Sequence, residues 1–268
     1  MTEKTMTLSN GVKIPLLALG TWCIEDDKAT EIVKTAIRLG YRHIDSAQAY
    51  ENERGVGEAI RTCGVPREEL FVTSKISFDS LTYDQAARSI DESLSKMKLD
   101  YLDLMLIHSA IPWEEWGKTN NRYFERNTQV WHALEDAYEA GKIRSIGVSN
   151  YIEEDLENIF KTGHIKPMVN QIECHIGETP SELIKYCKAH DIAVEAYSPI
   201  AHGDALADSV IVKMAAKYGV SPAQLCIKYS LQLGLISLPK ASSELHLKQN
   251  MTLDFEISAE DMRVLEKL

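Results

Sequence analysis

The chain has 268 residues, 44% of them hydrophobic and 26% charged, enough to bury a full core in one barrel domain or in two smaller ones. A net charge of -11 argues against nucleic acid or an anionic membrane as a main partner, because both need a basic surface. Five scattered cysteines (Cys23, Cys63, Cys174, Cys187, Cys226), without a Cys-x-x-Cys, indicate neither a disulfide framework nor a zinc site and point to a reducing cytoplasm. The Met-Thr-Glu-Lys start lacks an apolar run of signal-peptide type, and no stretch approaches the roughly 18 apolar residues of a membrane span. No low-complexity or Pro/Gly-rich linker divides residues 1–268, so a single domain is expected.

In chain order, Thr5 to Leu8 and Val12 to Ile14 flank Ser9-Asn10-Gly11 and read as a hairpin plugging one end of the structure. Asn-Gly would supply the positive φ values of a two-residue turn. Strand-like runs follow at Leu16 to Leu19, Tyr41 to Asp45, Leu70 to Ser74, Leu102 to Ile107, Ser145 to Val148, Met168 to Ile172, Ala193 to Tyr197 and Leu235 to Leu238.

Helical stretches, with apolar residues three and four apart, fall at Ala29 to Leu39, Arg54 to Arg61, Tyr83 to Met97, Thr128 to Ala140, Glu153 to Phe160, Ser181 to His190, Val210 to Lys217 and Pro222 to Leu233. Asp26-Asp27 and Ser221-Pro222 read as helix starts, Gly40 and Gly141 as stops. Eight strands with eight helices predict an α/β fold, a closed (β/α)8 TIM barrel of about 250 residues. An open doubly wound sheet fits the same pattern less well, and Ser258 to Lys267 adds a final helix.

Polar or ionisable residues close the apolar runs: Asp45, Lys75, His108, Ser149 with Asn150, Gln171, Tyr197 and Lys240. In a barrel those ends form one rim facing a common cleft. Singly, each has a plain structural explanation: Asp45 and Lys75 a rim ion pair, Tyr50 a half-buried amphipathic side chain, His108 an imidazole satisfied by backbone. Gly55-Val56-Gly57 begins a dinucleotide-type Gly-x-Gly, but Ile60 stands where the third glycine belongs, so a dinucleotide would bind without a Rossmann turn.

The stretch Gly40, Arg42, His43, Ile44, Asp45, Ala47, Tyr50, Asn52, Glu53 resembles the signature of the aldo-keto reductase family. Leu106-Ile107-His108, Gly147-Val148-Ser149-Asn150, Gln171, Ala196-Tyr197-Ser198-Pro199 and Pro239-Lys240 are similar to the family's later motifs, in the same order. The match looks closest to short microbial members, including diketogluconate reductases.

The resemblance implies hydride transfer from a nicotinamide to an aldehyde or ketone. Tyr50 would donate the proton, Lys75 stabilise the phenolate and bring donation nearer neutral pH, Asp45 hold the ammonium, and His108 orient the carbonyl. It further implies that Tyr197 stacks on the nicotinamide while Ser149, Asn150 and Gln171 hold its carboxamide. Thr21, the Ser198 to Leu206 loop and the Lys240 region, with Ser243, His246, Gln249 and Asn250, would border or hold the rest of the cofactor.

Where the family commonly has Pro-Lys-Ser followed by Arg, this chain has Pro239-Lys240-Ala241 and then His246. A bidentate cation for a 2'-phosphate is therefore missing; NADPH is expected, with NADH as the alternative. Trp22 is expected to wall the substrate pocket. Loop 109–127, with Trp113 and Trp116, either forms another wall or anchors itself on the barrel. A chain stopping at Leu268 implies an open pocket for small or medium carbonyl compounds. Two other readings stay open: a non-catalytic nicotinamide-binding accessory or regulatory protein, and a hydrolase or aldolase with Lys75 as amine nucleophile.

Overall fold

In the computed structural model, which describes residues 4–268, the Thr5 to Ile14 segment pairs as an antiparallel hairpin, β1 (Thr5–Thr7) with β2 (Lys13–Pro15). Met1 to Glu3, part of the start read above as lacking an apolar run of signal-peptide type, lie outside the described residues. The turn is not the two-residue type expected. Leu8 N–H donates to Val12 O, Gly11 N–H donates to Leu8 O, and Gly11 alone in the turn has positive φ (87°). That is a three-residue loop with glycine in the left-handed position, so Asn10 is released from the backbone role. Its amide instead donates to Arg144 O at 2.9 Å, just ahead of a barrel strand, which seats the hairpin on the end where the strands begin.

Eight parallel strands follow in sequence order: β3 (Ala18–Gly20), β4 (His43–Asp45), β5 (Phe71–Ile76), β6 (Leu104–Ile107), β7 (Ile146–Ser149), β8 (Val169–Glu173), β9 (Ala193–Tyr197) and β10 (Ile236–Leu238). Parallel bridges Leu17↔Ser237 and Gly20↔Lys240 join the last to the first. The (β/α)8 barrel expected from the pattern is the fold, and the open sheet is ruled out. Every residue of β4, β5, β6 and β7 is buried, as a parallel strand between a filled interior and a helical coat must be.

The crossover helices are α1 (Asp26–Leu39), α2 (Glu53–Thr62), α3 (Tyr83–Met97), α4 (Phe124–Glu139), α5 (Glu153–Thr162), α6 (Ser181–Ala189), α7 (Ser209–Tyr218) and α8 (Pro222–Gln232). Asp26 is inside the first helix rather than its cap, and its carboxylate accepts the Gly55 N–H at 2.7 Å. Ser221 and Gln224 form a reciprocal capping box, and Gly40 ends α1 at φ 117°.

The helix that follows β10 and completes the ring is α9 (Glu244–Met251), absent from the sequence reading. It is tied to α1 and to the connection before β4 by the Arg38–Glu244 ion pair and by the Tyr41 hydroxyl donating to Leu247 O. Helices α7 and α10 (Ala259–Leu265) stand outside the ring and share a second apolar cluster with α8, built on Ile211, Ala215, Leu225, Tyr229, Met262 and Leu265.

Gly55 and Gly57 lie within α2, and neither belongs to a phosphate loop. A Cβ on Gly57 would lie 2.3 Å from the Met97 backbone, and one on Gly55 2.2 Å from Asp26 O. Gly57→Ala is therefore expected to lower stability by about 1–3 kcal/mol through overpacking of α2 on α3. A urea midpoint equal to that of the unmodified protein would contradict so close an approach.

Candidate active site

The loop after β4 is fixed from several sides before any reactive group is considered. Asn52 donates to Thr21 O (2.9 Å) and Ile24 O (3.0 Å) and accepts from Ser46 Oγ (2.7 Å), while Gln48 accepts the Ser77 N–H and donates to Ser89 O and Ser93 Oγ. This polar framework sets the short 3-10 turn Gln48–Tyr50, which delivers the Tyr50 phenol to the carboxyl-end mouth of the barrel.

Beneath the phenol, Lys75 on β5 is completely buried, and its ammonium donates to Asp45 Oδ2 at 2.5 Å and Ser46 O at 2.8 Å. It stands 3.3 Å from the Tyr50 hydroxyl and 4.8 Å from the Tyr50 ring centre. Burial pulls the ammonium toward neutrality, but Asp45 and then Tyr50 outweigh it, and its pKa is raised overall. A lysine held protonated this firmly is a poor amine nucleophile.

Burial also dominates at Tyr50 and raises the phenol's pKa despite the opposing Lys75 charge. The cation pulls the phenol toward neutral pH, but removal from water wins, and the resting hydroxyl keeps its proton.

The His108 and Tyr50 rings are nearly perpendicular with centres 5.5 Å apart, and His108 meets Trp113 in the same way at 5.4 Å. Burial, then Lys75, push the imidazole down to about 3, so at neutral pH it is an uncharged hydrogen-bonding group. Its Nδ1 is buried without a partner among the described residues.

Asp45, Tyr50, His108, Ser149, Asn150, Gln171, Tyr197, Ser198, Lys240, Trp22 and Trp113 all border one cleft of about 820 Å³, a volume suited to a small-molecule site. Lys75 lies under its floor. Tyr197 donates to Asn150 Oδ1 (2.8 Å), Asn150 donates to His108 O and Ser149 Oγ, and Ser149 Oγ donates to Gln171 O. Gln171 spends its amide nitrogen on Asp45 Oδ1 (2.9 Å) and Glu195 Oε2 (2.7 Å), leaving its own oxygen as the free polar atom.

Not every expected residue is gathered there. Thr21 is fully buried, its hydroxyl donating to Asp45 O. Ser243 caps α9, His246 and Gln249 are exposed on that helix, and Asn250 is buried beneath it; none of the four borders the cleft. Trp113 and Trp116 stack at 4.9 Å, with Trp113 in the wall and Trp116 behind it. Trp22, opposite, meets His202 edge-on at 5.4 Å.

Three groups at or beneath the cleft were missed by sequence reasoning: the Ser46 carbonyl, Glu173 on the rim and Glu195 inside the barrel. Only Glu195 carried a signal, as a charge within the otherwise apolar run Ala193-Val194-Glu195-Ala196-Tyr197.

The chain is thus a (β/α)8 barrel that gathers a phenol, an ammonium, a carboxylate and an imidazole at its carboxyl-end mouth. The Aldo/keto reductase family model matches residues 16–268, and the chain belongs to that family. It is 43% identical to a glyoxal reductase of Bacillus subtilis, over 99% of this chain and 93% of that protein, and 39% identical to a 9,11-endoperoxide prostaglandin H2 reductase of Trypanosoma cruzi, over 98% and 90%. Among solved structures, an aldo/keto reductase from Brucella melitensis superposes with a TM-score of 0.91 at 36% identity, covering 99% of both chains. Among the described residues no helix is long and apolar enough to cross a membrane.

Proposed function

We propose that this chain reduces small aldehydes or ketones to alcohols with a nicotinamide cofactor, and that Tyr50 is the proton donor. The observation carrying the reading is the Tyr50 side chain on the cleft wall, its hydroxyl 3.3 Å from the buried Lys75 ammonium and its ring against His108.

The residues fit such a cofactor. Tyr197 borders the cleft with its hydroxyl already committed to Asn150, so its ring offers a flat surface to a flat ligand. Ser149, Asn150 and the free Gln171 oxygen supply amide-recognising groups, and Lys240 supplies a cation on the rim. When bound, the reduced nicotinamide supplies the hydride. His108, uncharged, donates a hydrogen bond to the carbonyl oxygen and orients it. Tyr50 then gives its proton to the oxygen, and Lys75 stabilises the phenolate while Asp45 keeps the ammonium in place.

The five cysteines are free thiols, which suits a cytoplasmic enzyme working as one domain over residues 1–268. Glyoxal-type dicarbonyls are sensible first substrates, given the name of the Bacillus subtilis relative. Loss of reduced-nicotinamide absorbance on adding a panel of aldehydes and ketones tests the reading. Binding of NADPH and NADH with no turnover on any substrate would leave a cofactor-binding accessory protein instead.

NADPH is the proposed cofactor because Lys240 supplies a cation on the rim, and NADH is the competitor because Ala241 offers no hydroxyl and His246 no guanidinium. Ala241→Ser combined with His246→Arg should raise the NADPH/NADH ratio of kcat/KM by about tenfold, the order of one charge-assisted contact. An unaltered ratio would mean that the 2'-phosphate lies elsewhere.

A further inference from the structure

Glu195 on β9 is a wholly buried carboxyl in the barrel interior that the proposed reduction does not use. Its Oε2 accepts from Gln171 Nε2 at 2.7 Å, and the same nitrogen donates to Asp45 Oδ1 at 2.9 Å. An amide nitrogen has two hydrogens, so Gln171 gives one to each carboxyl and clamps them side by side. Glu195 Oε1 has no partner among the described residues. The nearest ring nitrogen, His43 Nε2, is 3.7 Å away and is engaged at 3.1 Å with Thr73 Oγ1.

The charges around this clamp do not balance if both carboxyls ionise. From β4 it is faced by Asp45 and His43, and from β5 by Lys75. The cross-strand neighbours Gln171 on β8 and Ile236 on β10 are uncharged. His43 is driven down to about 3 by burial, with its Pro15 hydrogen bond opposing and Lys75 adding to the fall, so it brings no charge at neutral pH. One ammonium would then face two buried carboxylates, and an unpaired buried charge is strongly unfavourable.

We propose, on the reading that the chain is a reductase, that Glu195 is a positioning residue: an uncharged carboxyl that holds Asp45 on Lys75 through Gln171, and whose ionisation slows proton delivery from Tyr50. Burial first, then the Asp45 charge, push Glu195 up to about 8, against Gln171 and Lys75. Below that pH the clamp joins a neutral acid to a carboxylate. Above it a second negative charge repels Asp45, competes for the Gln171 amide, and makes the Lys75 and Tyr50 protons harder to release.

In the unmodified protein, kcat for reduction should fall by roughly threefold or more as pH rises through about 8. Glu195→Gln keeps the acceptor for Gln171 and cannot ionise. That variant should hold its kcat over the same range, with cofactor affinity by fluorescence quenching unmoved in both proteins. Infrared difference spectra of the unmodified protein should contain a protonated-carboxyl stretch at neutral pH that titrates away near 8 and is missing from Glu195→Gln.

A parallel fall of kcat in both proteins, or no protonated-carboxyl band at neutral pH, would overturn the inference. If Glu195→Gln does not fold, the infrared titration of the unmodified protein decides alone. Absence of any turnover by the unmodified protein would sink the reductase reading and this one together, whereas turnover with a variant profile like the parent's sinks this one only.

Discussion

Tyr50→Phe is expected to lower kcat for carbonyl reduction by about 10²–10⁴-fold, the range of a well-placed general acid. The substitution deletes one oxygen and little else. The ring keeps its edge contact with His108 and its place 4.8 Å from the Lys75 ammonium, so the cleft wall survives. Cofactor affinity should not change, because the groups suited to an amide or a phosphate sit on Ser149, Asn150, Gln171 and Lys240. Burial keeps the Tyr50 proton on the phenol at neutral pH, and the loss should therefore be of similar size at mildly acid and neutral pH. Steady-state rates beside a fluorescence titration check it, and a kcat within a few fold of the parent's would remove Tyr50 from the chemistry.

How much of this was legible before the coordinates depended on where the determining force lies. The eight strands were legible because each is a short apolar run bounded by turn residues, and such a run has few other ways to be buried. Helix α9 was not. Leu247 is its one fully buried apolar side chain while Leu245 is 63% exposed, so it has no apolar stripe to detect. It is held by its own Ser243 cap and by Tyr41 reaching Leu247 O from a segment far away in sequence.

Gly55 and Gly57 show why the absent third glycine counted for more than the Gly-x-Gly itself. Their spacing suggests a phosphate loop, but their purpose is space for the Asp26 and Met97 backbones. In the site, the strand-end residues could be named from the chain, because a barrel brings strand ends together. The Gln171 bridge from Asp45 to Glu195 could not, since it crosses the barrel interior between β4, β8 and β9.

Lys75→Met should lose about 3–5 kcal/mol of stability and nearly all reduction, making it the most damaging single change expected in the molecule. Methionine nearly fills the volume, so packing accounts for little of that loss. What remains is the Asp45 carboxylate, 3% exposed, with Gln171 as its one side-chain donor and Glu195 beside it. The stabilisation removed is fully present at neutral pH. The folded-state pKa of Lys75 lies above the ordinary lysine value of 10.5, so its contribution holds below that value and fades only as pH rises through the higher folded one.

Adding Asp45→Asn to Lys75→Met removes the stranded charge. The double variant should regain much of the lost stability, while reduction stays absent because no cation remains to stabilise the Tyr50 phenolate. Urea denaturation of both variants alongside turnover separates the two roles of the pair. If Lys75→Met unfolds at the parent's urea concentration, Asp45 and Lys75 do not form the buried pair on which the proposed chemistry is built.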